Sequence, residues 1–304
     1  MLKVMYEGKD ISDAIELTRL DVVDSCGDHA DGIDLLVANS SNQWSNWQPQ
    51  KKHRLEIVCD GYSSGLMWVD RIRQEDGVVN LGAVSVPPEG KTKRSGAWEA
   101  ISFSSLAMEK AEDYGLSAMM LSLPSVSYSR VDQSGRGDFA FLADRARLEG
   151  CSIKVQGNRL VIYSNAYMEG LTPAKTIDSS DFWESPRFSD GASGTYRRCT
   201  VSWQGLSGSF EDPEALGPEM LVTDVPVFNP AEAQRYAKNL LRNANKRGVV
   251  GQIAVSRDVS LTAGNTINIS GMGLSDGKYF IDTAYHSFTD DVSRFDLHKC
   301  FMRF

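Results

Sequence analysis

The sequence predicts a mainly β protein with an α+β module set between two β segments. Three observations point there: short β-rich runs at close spacing up to about residue 92, a change to helical periodicity from 93 to about 170, and a return of β signals from 171, broken by one strong helix. The 304 residues are enough for two or three compact units. Hydrophobic residues at 41% and charged residues at 24% are ordinary for a packed globular chain.

In the first segment, 33–40 (IDLLVANS), 54–61 (RLEIVCDG), 66–77 (LMWVDRIRQEDG) and 78–86 (VVNLGAVSV) are rich in β-branched and apolar residues and are separated by Gly, Asp and Asn. Strands this closely spaced read as a small barrel or sandwich. Asp76-Gly77 is a hairpin signal, because a tight turn needs positive φ and Gly adopts it at little cost. Pro87-Pro88-Glu89-Gly90 ends the segment.

The next segment begins with a helix that Ser104 is expected to cap. Leu106, Ala107, Ala111 and Tyr114 share one face, and Gly115 stops it. The stretch DQSGRGDFAFLADRARLEG (132–150) contains Arg136-Gly137-Asp138. A phosphate loop needs a strand directly before the glycines and, for a Walker site, a Gly-Lys-Ser/Thr ending; an adhesion signal needs a flexible exposed loop. Neither requirement is met, and the stretch reads as a helix start. Asp138 complements the dipole in the first turn, Phe139, Leu142, Ala143 and Ala146 recur at i, i+3, i+4 and i+7, and Gly150 closes the helix. CSIKVQGNRLVIY (151–163) then reads as a hairpin turning at Gly157-Asn158.

Beyond 171, strand signals lie at 197–205, 249–256, 265–271 and 277–288, with Asp, Gly, Ser and Pro filling joins such as 189–194 and 205–218. The helix 229–247 has the clearest local grammar. Asn229 caps it, Pro230 sits where a missing N–H does no harm, Glu232 stands where a capping box puts it, and Ala233, Tyr236, Ala237, Leu240, Leu241 and Ala244 line one face before Gly248.

Composition excludes several chemistries. With 32 basic against 40 acidic residues the net charge is −8, which argues against a broad nucleic-acid-binding face; the short basic run Lys91-Thr92-Lys93-Arg94 reads as a solvated loop. The five cysteines, Cys26, Cys59, Cys151, Cys199 and Cys300, show no Cys-x-x-Cys and no His at ligand spacing, so no zinc site is expected and synthesis in a reducing cytosol is. Neither a basic-apolar leader nor a run of 18 apolar residues occurs, and no membrane insertion is expected.

Of the histidines His29, His53, His286 and His298, none stands in a recognisable nucleophile motif, and His286, between core-like Tyr285 and Phe288, reads as a hydrogen-bonded structural residue. The acids of DGIDLLVAN and DDVSRFD lack the ligand alternation of a calcium loop and read as solvated. Trp44, Trp47, Trp68, Trp98, Trp183 and Trp203 are not interleaved with basic residues and are expected in cores and interfaces. No catalytic residue, metal or cofactor is expected.

The order of motifs is informative as a whole. WQPQKKHRLEIV, GAVSVP, KTKRSGAWEAISFSSLAMEKAEDYGL, RVDQSGRGDFAFLADRARLEGCSIKVQGNRLVIY and LTAGNTINISGMGLSDGKYFIDTAYHSF follow one another over nearly the whole chain. Together they resemble the phage late control D, or contractile-tail baseplate hub, family. Three features depart from its pattern: Ala146 where a larger apolar residue is usual, glycine in place of an acidic or serine residue near Gly137, and no Gly-aromatic pair in TDDVSRFDLHKCFMRF.

The resemblance implies two small β-barrel-like tube domains, 1–92 and 171–304, flanking an α+β domain at 93–170, with Trp98, Asp132, Gln133, Phe141, Leu142, Gly264, Gly277 and Tyr279 as structural signature positions. It implies a structural, non-enzymatic protein. Three copies would form a ring joining a central spike to the tail tube, in contact with other baseplate proteins, made in the bacterial host cytoplasm and built into a virion or a tail-like particle such as a bacteriocin. Two alternatives stand beside it. One is a tail-associated peptidoglycan hydrolase, disfavoured because the chain ends soon after its second set of barrel signals; the other is a carbohydrate- or receptor-binding β module.

Overall fold

The computed structural model describes residues 1–300 apart from Asp28, Ser40, Ser41, Asp76 and Ser193. Period-two alternation of apolar and polar residues builds most strands into one long sheet. Its order runs Lys9–Asp10, Leu2–Tyr6, Arg54–Cys59, Met67–Glu75, Val78–Val84, Gly32–Ala38, Leu17–Ser25, Gly277–Ser287, Val292–Lys299, Val249–Ser256 and Arg187–Asp190. Every neighbouring pair along this path is antiparallel.

The strand Gly277–Ser287 is shared. Residues 277–280 pair with Thr266–Ser270, which in turn pairs parallel with Lys175–Asp178, while residues 283–287 pair with Leu17–Ser25. A register shift between Ile281 and Thr283 marks the crossing point. The two halves of the sheet line separate cores. One is built from Leu20, Ile33, Leu35, Leu55, Ile57, Val69 and Leu81 around buried Trp44, the other from Ile177, Ile253, Ile267, Tyr279, Ile281 and Phe295.

Between them in sequence lies the α+β module. Arg94–Ser102 and Ser127–Arg136 form an antiparallel ribbon, and Ser117–Leu121, Arg159–Ser164 and Cys151–Gln156 form a three-stranded sheet. The helices Phe103–Glu112 and Asp138–Leu148 close a third core around Phe103, Leu106, Phe141, Leu142, Leu160 and Ile162. Ser102 caps the first helix, not Ser104. Ser102 ends the strand with extended backbone, and its hydroxyl accepts the Ser105 N–H at 3.0 Å, whereas Ser104 already lies inside the first turn.

A fourth core lies beneath the helix Pro230–Asn245, which packs its Ala233, Tyr236, Ala237, Leu240 and Leu241 face on the separate sheet Arg198–Trp203, Leu206–Glu211 and Glu219–Val222. Asn229 accepts the Glu232 N–H at 2.8 Å as expected. Glu232 does not complete a capping box: its carboxylate accepts from the Phe228 N–H and the Tyr236 hydroxyl, each at 2.8 Å.

The strand Leu206–Glu211 falls within the expected join 205–218. Its loop-like composition has a packing cause: a Cβ at Gly208 would stand 2.3 Å from the Gln234 backbone nitrogen, so only glycine lets the helix lie this close. Of the predicted Asp76-Gly77 turn, Asp76 is outside the described residues; Gly77 has φ +72°, and Glu75 faces Val78 across the hairpin. Residues 301–304 of the closing segment also lie outside. No helix among the described residues is long and apolar enough to cross a membrane.

Candidate functional site

The strand Ser127–Arg136 does run directly up to Gly137, contrary to the sequence reading, and the second module helix begins at Asp138, whose side chain does more than complement the dipole. Its side chain turns inward and is fully buried. Tyr114 Oη donates to it at 2.6 Å and Gln133 Nε2 at 2.7 Å, and Lys110 Nζ lies 3.4 Å away. Burial opposes its charge, yet these donors and the ammonium hold the carboxyl below the usual range. Arg136 faces outward and pairs with Asp144.

The signature positions fall into two places. Gln133, Phe141 and Leu142 are buried in the module, and Trp98 stacks on Phe141 with ring centres 5.6 Å apart while donating to Glu109 at 2.8 Å. Asp132 lies on the exposed face of the ribbon, paired with Arg130. In the second half of the long sheet, Gly264 (φ +98°) donates to the Ile281 carbonyl, Gly277 (φ +141°) opens the shared strand, and buried Tyr279 donates to the Ser275 carbonyl at 2.9 Å.

Two of the four histidines, His286 and His298, are buried and hydrogen-bonded. His286 and Ser293 are both fully buried, with Nδ1 2.7 Å from the Ser293 hydroxyl, and burial pushes the imidazole down to about 4. Its neighbour Tyr285 is not core but 40% exposed. His298 Nδ1 lies 2.7 Å from Asp282, and Glu169 stands 3.5 Å from Nε2; burial opposes the charge on this ring, while the two carboxylates raise its affinity for a proton. Among the described residues no group of three or more His, Cys, Asp or Glu is placed to hold a metal ion.

Buried ion pairs, invisible to motif reading, join the units. Lys154 of the module hairpin inserts between Asp24 and Asp31 of the first β segment, contacting Asp24 and standing 3.4 Å from Asp31. Asp31 is therefore not the solvated acid expected of DGIDLLVAN. Burial pushes Asp31 up to about 7 and Lys154 down to about 7, so each depends on its partner to stay charged. The hairpin tip docks equally closely: a Cβ on Gly65 (φ +73°) would meet the Gly157 nitrogen at 2.7 Å. Glu149 accepts from Arg235 at 2.7 Å, and Glu169 forms an ion pair with Arg242 at 2.7 Å, fixing the long helix to the module. Only an inward-facing charge at a strand position, as at Asp24 and Lys154, was available in the sequence as a signal.

Where these units meet, a cleft of ≈ 550 Å³ opens between the helix Asp138–Leu148, the strand Cys151–Gln156 and the C-terminal half of Pro230–Asn245. It adjoins a second opening of ≈ 640 Å³, and the two share Cys26, His29, Lys246, Arg247, Asp282 and His298. The outer surface carries a different feature. The edge strand Glu219–Val222 and its flanks expose Leu216 at 89%, Leu221 at 67% and Phe228, and the loop before Arg187–Asp190 exposes Trp183 at 59%. Aliphatic side chains on an unpaired strand edge suit association with another chain.

No family model matches the chain, and no curated protein sequence matches it. Solved structures do. The 43 kDa tail protein of prophage MuSo2 from Shewanella oneidensis is 12% identical, with 98% of each chain covered and a TM-score of 0.79. A tail protein from Neisseria meningitidis MC58 is 16% identical over 98% of this chain and 96% of that one, TM-score 0.77. An Escherichia coli component of the type VI secretion system, described as structurally similar to the T4 bacteriophage tail proteins gp27 and gp5, is 9% identical over 99% and 78%, TM-score 0.69. The chain thus has a phage tail protein fold, mainly β with an α+β module. The likeness extends from end to end of the prophage protein.

Proposed function

We propose that this protein is a structural hub of a contractile phage tail or tail-like particle, three copies closing into a ring that joins the central spike to the tail tube. The observation that carries this reading is the likeness to the prophage tail protein over 98% of both chains. In it, 1–92 and 171–304 are the tube-forming units, 93–170 is the module between them, and Trp98, Gln133, Phe141, Leu142, Gly264, Gly277 and Tyr279 hold the shared fold.

The partners are further copies of the chain, the spike, the tube protein and other baseplate proteins. The protein is made in the host cytoplasm and carried in the particle. It works through shape and edge chemistry, without a reactive side chain. A ring needs heterologous contacts that close, and the apolar edge around Leu216, Leu221 and Phe228 supplies one member of such a contact. The net charge of −8 suits a channel that does not retain DNA.

The test is the mass of the purified protein, alone and with its spike, by light scattering and electron microscopy. A species of three times the 33.5 kDa chain mass, ring-shaped and capped by spike, is expected. A chain that stays monomeric with spike present and never enters particles refutes the reading.

A further inference from the structure

Inside the interunit cleft, Cys151–Gln156 is the outer strand of its three-stranded sheet. Its hairpin partner is Arg159–Ser164, and the two-residue turn Gly157-Asn158 has φ +54° and +63°. That turn fixes which backbone groups point where. In such a hairpin the closing pair, Gln156 and Arg159, exchanges hydrogen bonds, and by alternation so do Lys154 with Val161 and Ser152 with Tyr163. The N–H and C=O groups of Cys151, Ile153 and Val155 therefore point away from the sheet, and among the described residues none of them has a hydrogen-bond partner.

Unpaired strand edges are normally blunted or covered. This one is recessed, with Cys151 and Ile153 lining the cleft, so a thin extended chain reaches it more readily than a folded surface does. The charges flanking it are specific. Arg147 on one wall and Arg247 on the other are exposed and have no carboxylate partner among the described residues, in a protein whose net charge is −8.

We propose that the cleft takes an extended, acidic segment of a partner polypeptide, added as a strand along Cys151–Val155 with its carboxylates facing Arg147 and Arg247. Backbone pairing holds the segment, and the two guanidiniums select for acidic side chains. A nucleic acid strand fits less well. It offers no backbone ladder to match the outward groups, and the aromatic ring lining this cleft, Phe280, is buried against His298 and offers no stacking face. The inference goes beyond the hub reading and holds for a single chain whether or not rings form.

The test uses the full chain and a fluorescein-labelled Asp-Val-Asp-Val-Asp-Val peptide, followed by fluorescence anisotropy at low salt. Saturable binding is expected, weakened about tenfold or more by Arg147→Glu or Arg247→Glu and unchanged by Arg73→Glu, the same charge reversal on the distant Met67–Glu75 strand. Amide exchange at Ile153 and Val155 should slow when peptide binds. Absence of saturable binding, an equal loss with Arg73→Glu, or unprotected amides at 153 and 155 overturns the proposal. So does a thymidine hexanucleotide that binds more tightly than the peptide with the same dependence on the two arginines.

Discussion

Lowering the pH from 7.5 to 4.5 should remove stability through one buried group, His286. Its imidazole is fully enclosed, and the Ser293 hydroxyl, which accepts the Asp258 N–H at 2.9 Å, is placed to donate to Nδ1. Burial holds the ring neutral by pushing its pKa down to about 4. In the unfolded chain the same group titrates near about 6.5. A base with a depressed folded-state value contributes stability that is complete above about pH 6.5 and is lost as the pH falls towards 4. Linkage between those values gives a loss of about 2–3 kcal/mol at pH 4.5 relative to pH 7.5.

The perturbation that isolates this effect is His286→Gln, which keeps a hydrogen-bonding atom near Ser293 and does not titrate. Urea unfolding of both proteins across the pH range supplies the comparison. The wild-type advantage at pH 7.5 should shrink by about 2–3 kcal/mol at pH 4.5, while groups common to both, His298 included, cancel. Parallel stability curves for the two proteins would refute the reasoning, since they would mean that His286 carries the same charge folded and unfolded.

Other outcomes follow from the packing. Lys154→Met strands two buried carboxylates and should cost about 3–5 kcal/mol in chemical denaturation, most of it recovered when Asp24→Asn and Asp31→Asn are added. Asp138→Ala leaves the Tyr114 hydroxyl, the Gln133 amide and the Lys110 ammonium without their shared acceptor, a loss of about 3–5 kcal/mol measurable as a fall in Tm, with Asp138→Asn milder. Gly65→Ala forces a Cβ against the Gly157 backbone and should raise the proteolytic sensitivity of the 151–164 hairpin before the rest of the chain, whereas Gly61→Ala, with open space around it, should not. Leu221→Lys should leave the circular dichroism unchanged and lower self-association in sedimentation velocity.

Sequence legibility tracked how local each determinant is. The helix Pro230–Asn245 was readable because its cap, its first-turn proline and its apolar stripe all lie within one stretch. The strand Leu17–Ser25 was not, because Asp24 takes an inward position that an apolar residue would otherwise mark, its charge answered by Lys154 far along the chain. Leu206–Glu211 looked like a join because Gly208 serves a helix rather than a turn. Trp98, Phe141 and Leu142 pack in one core, whereas Asp132 stays apart on the exposed ribbon. The cleft has no signature at all: its walls come from four separate parts of the chain, and a free strand edge exists only once its neighbours are known.

The strand Gly277–Ser287 belongs to both halves of the long sheet. A tensile or shearing load on one half therefore passes to the other along a covalent backbone and its ladder of hydrogen bonds, not through a compliant hinge. Val292–Lys299 runs beside it and pairs with residues on both sides of the register shift, so the crossing is braced by a second continuous strand and gains stiffness from both.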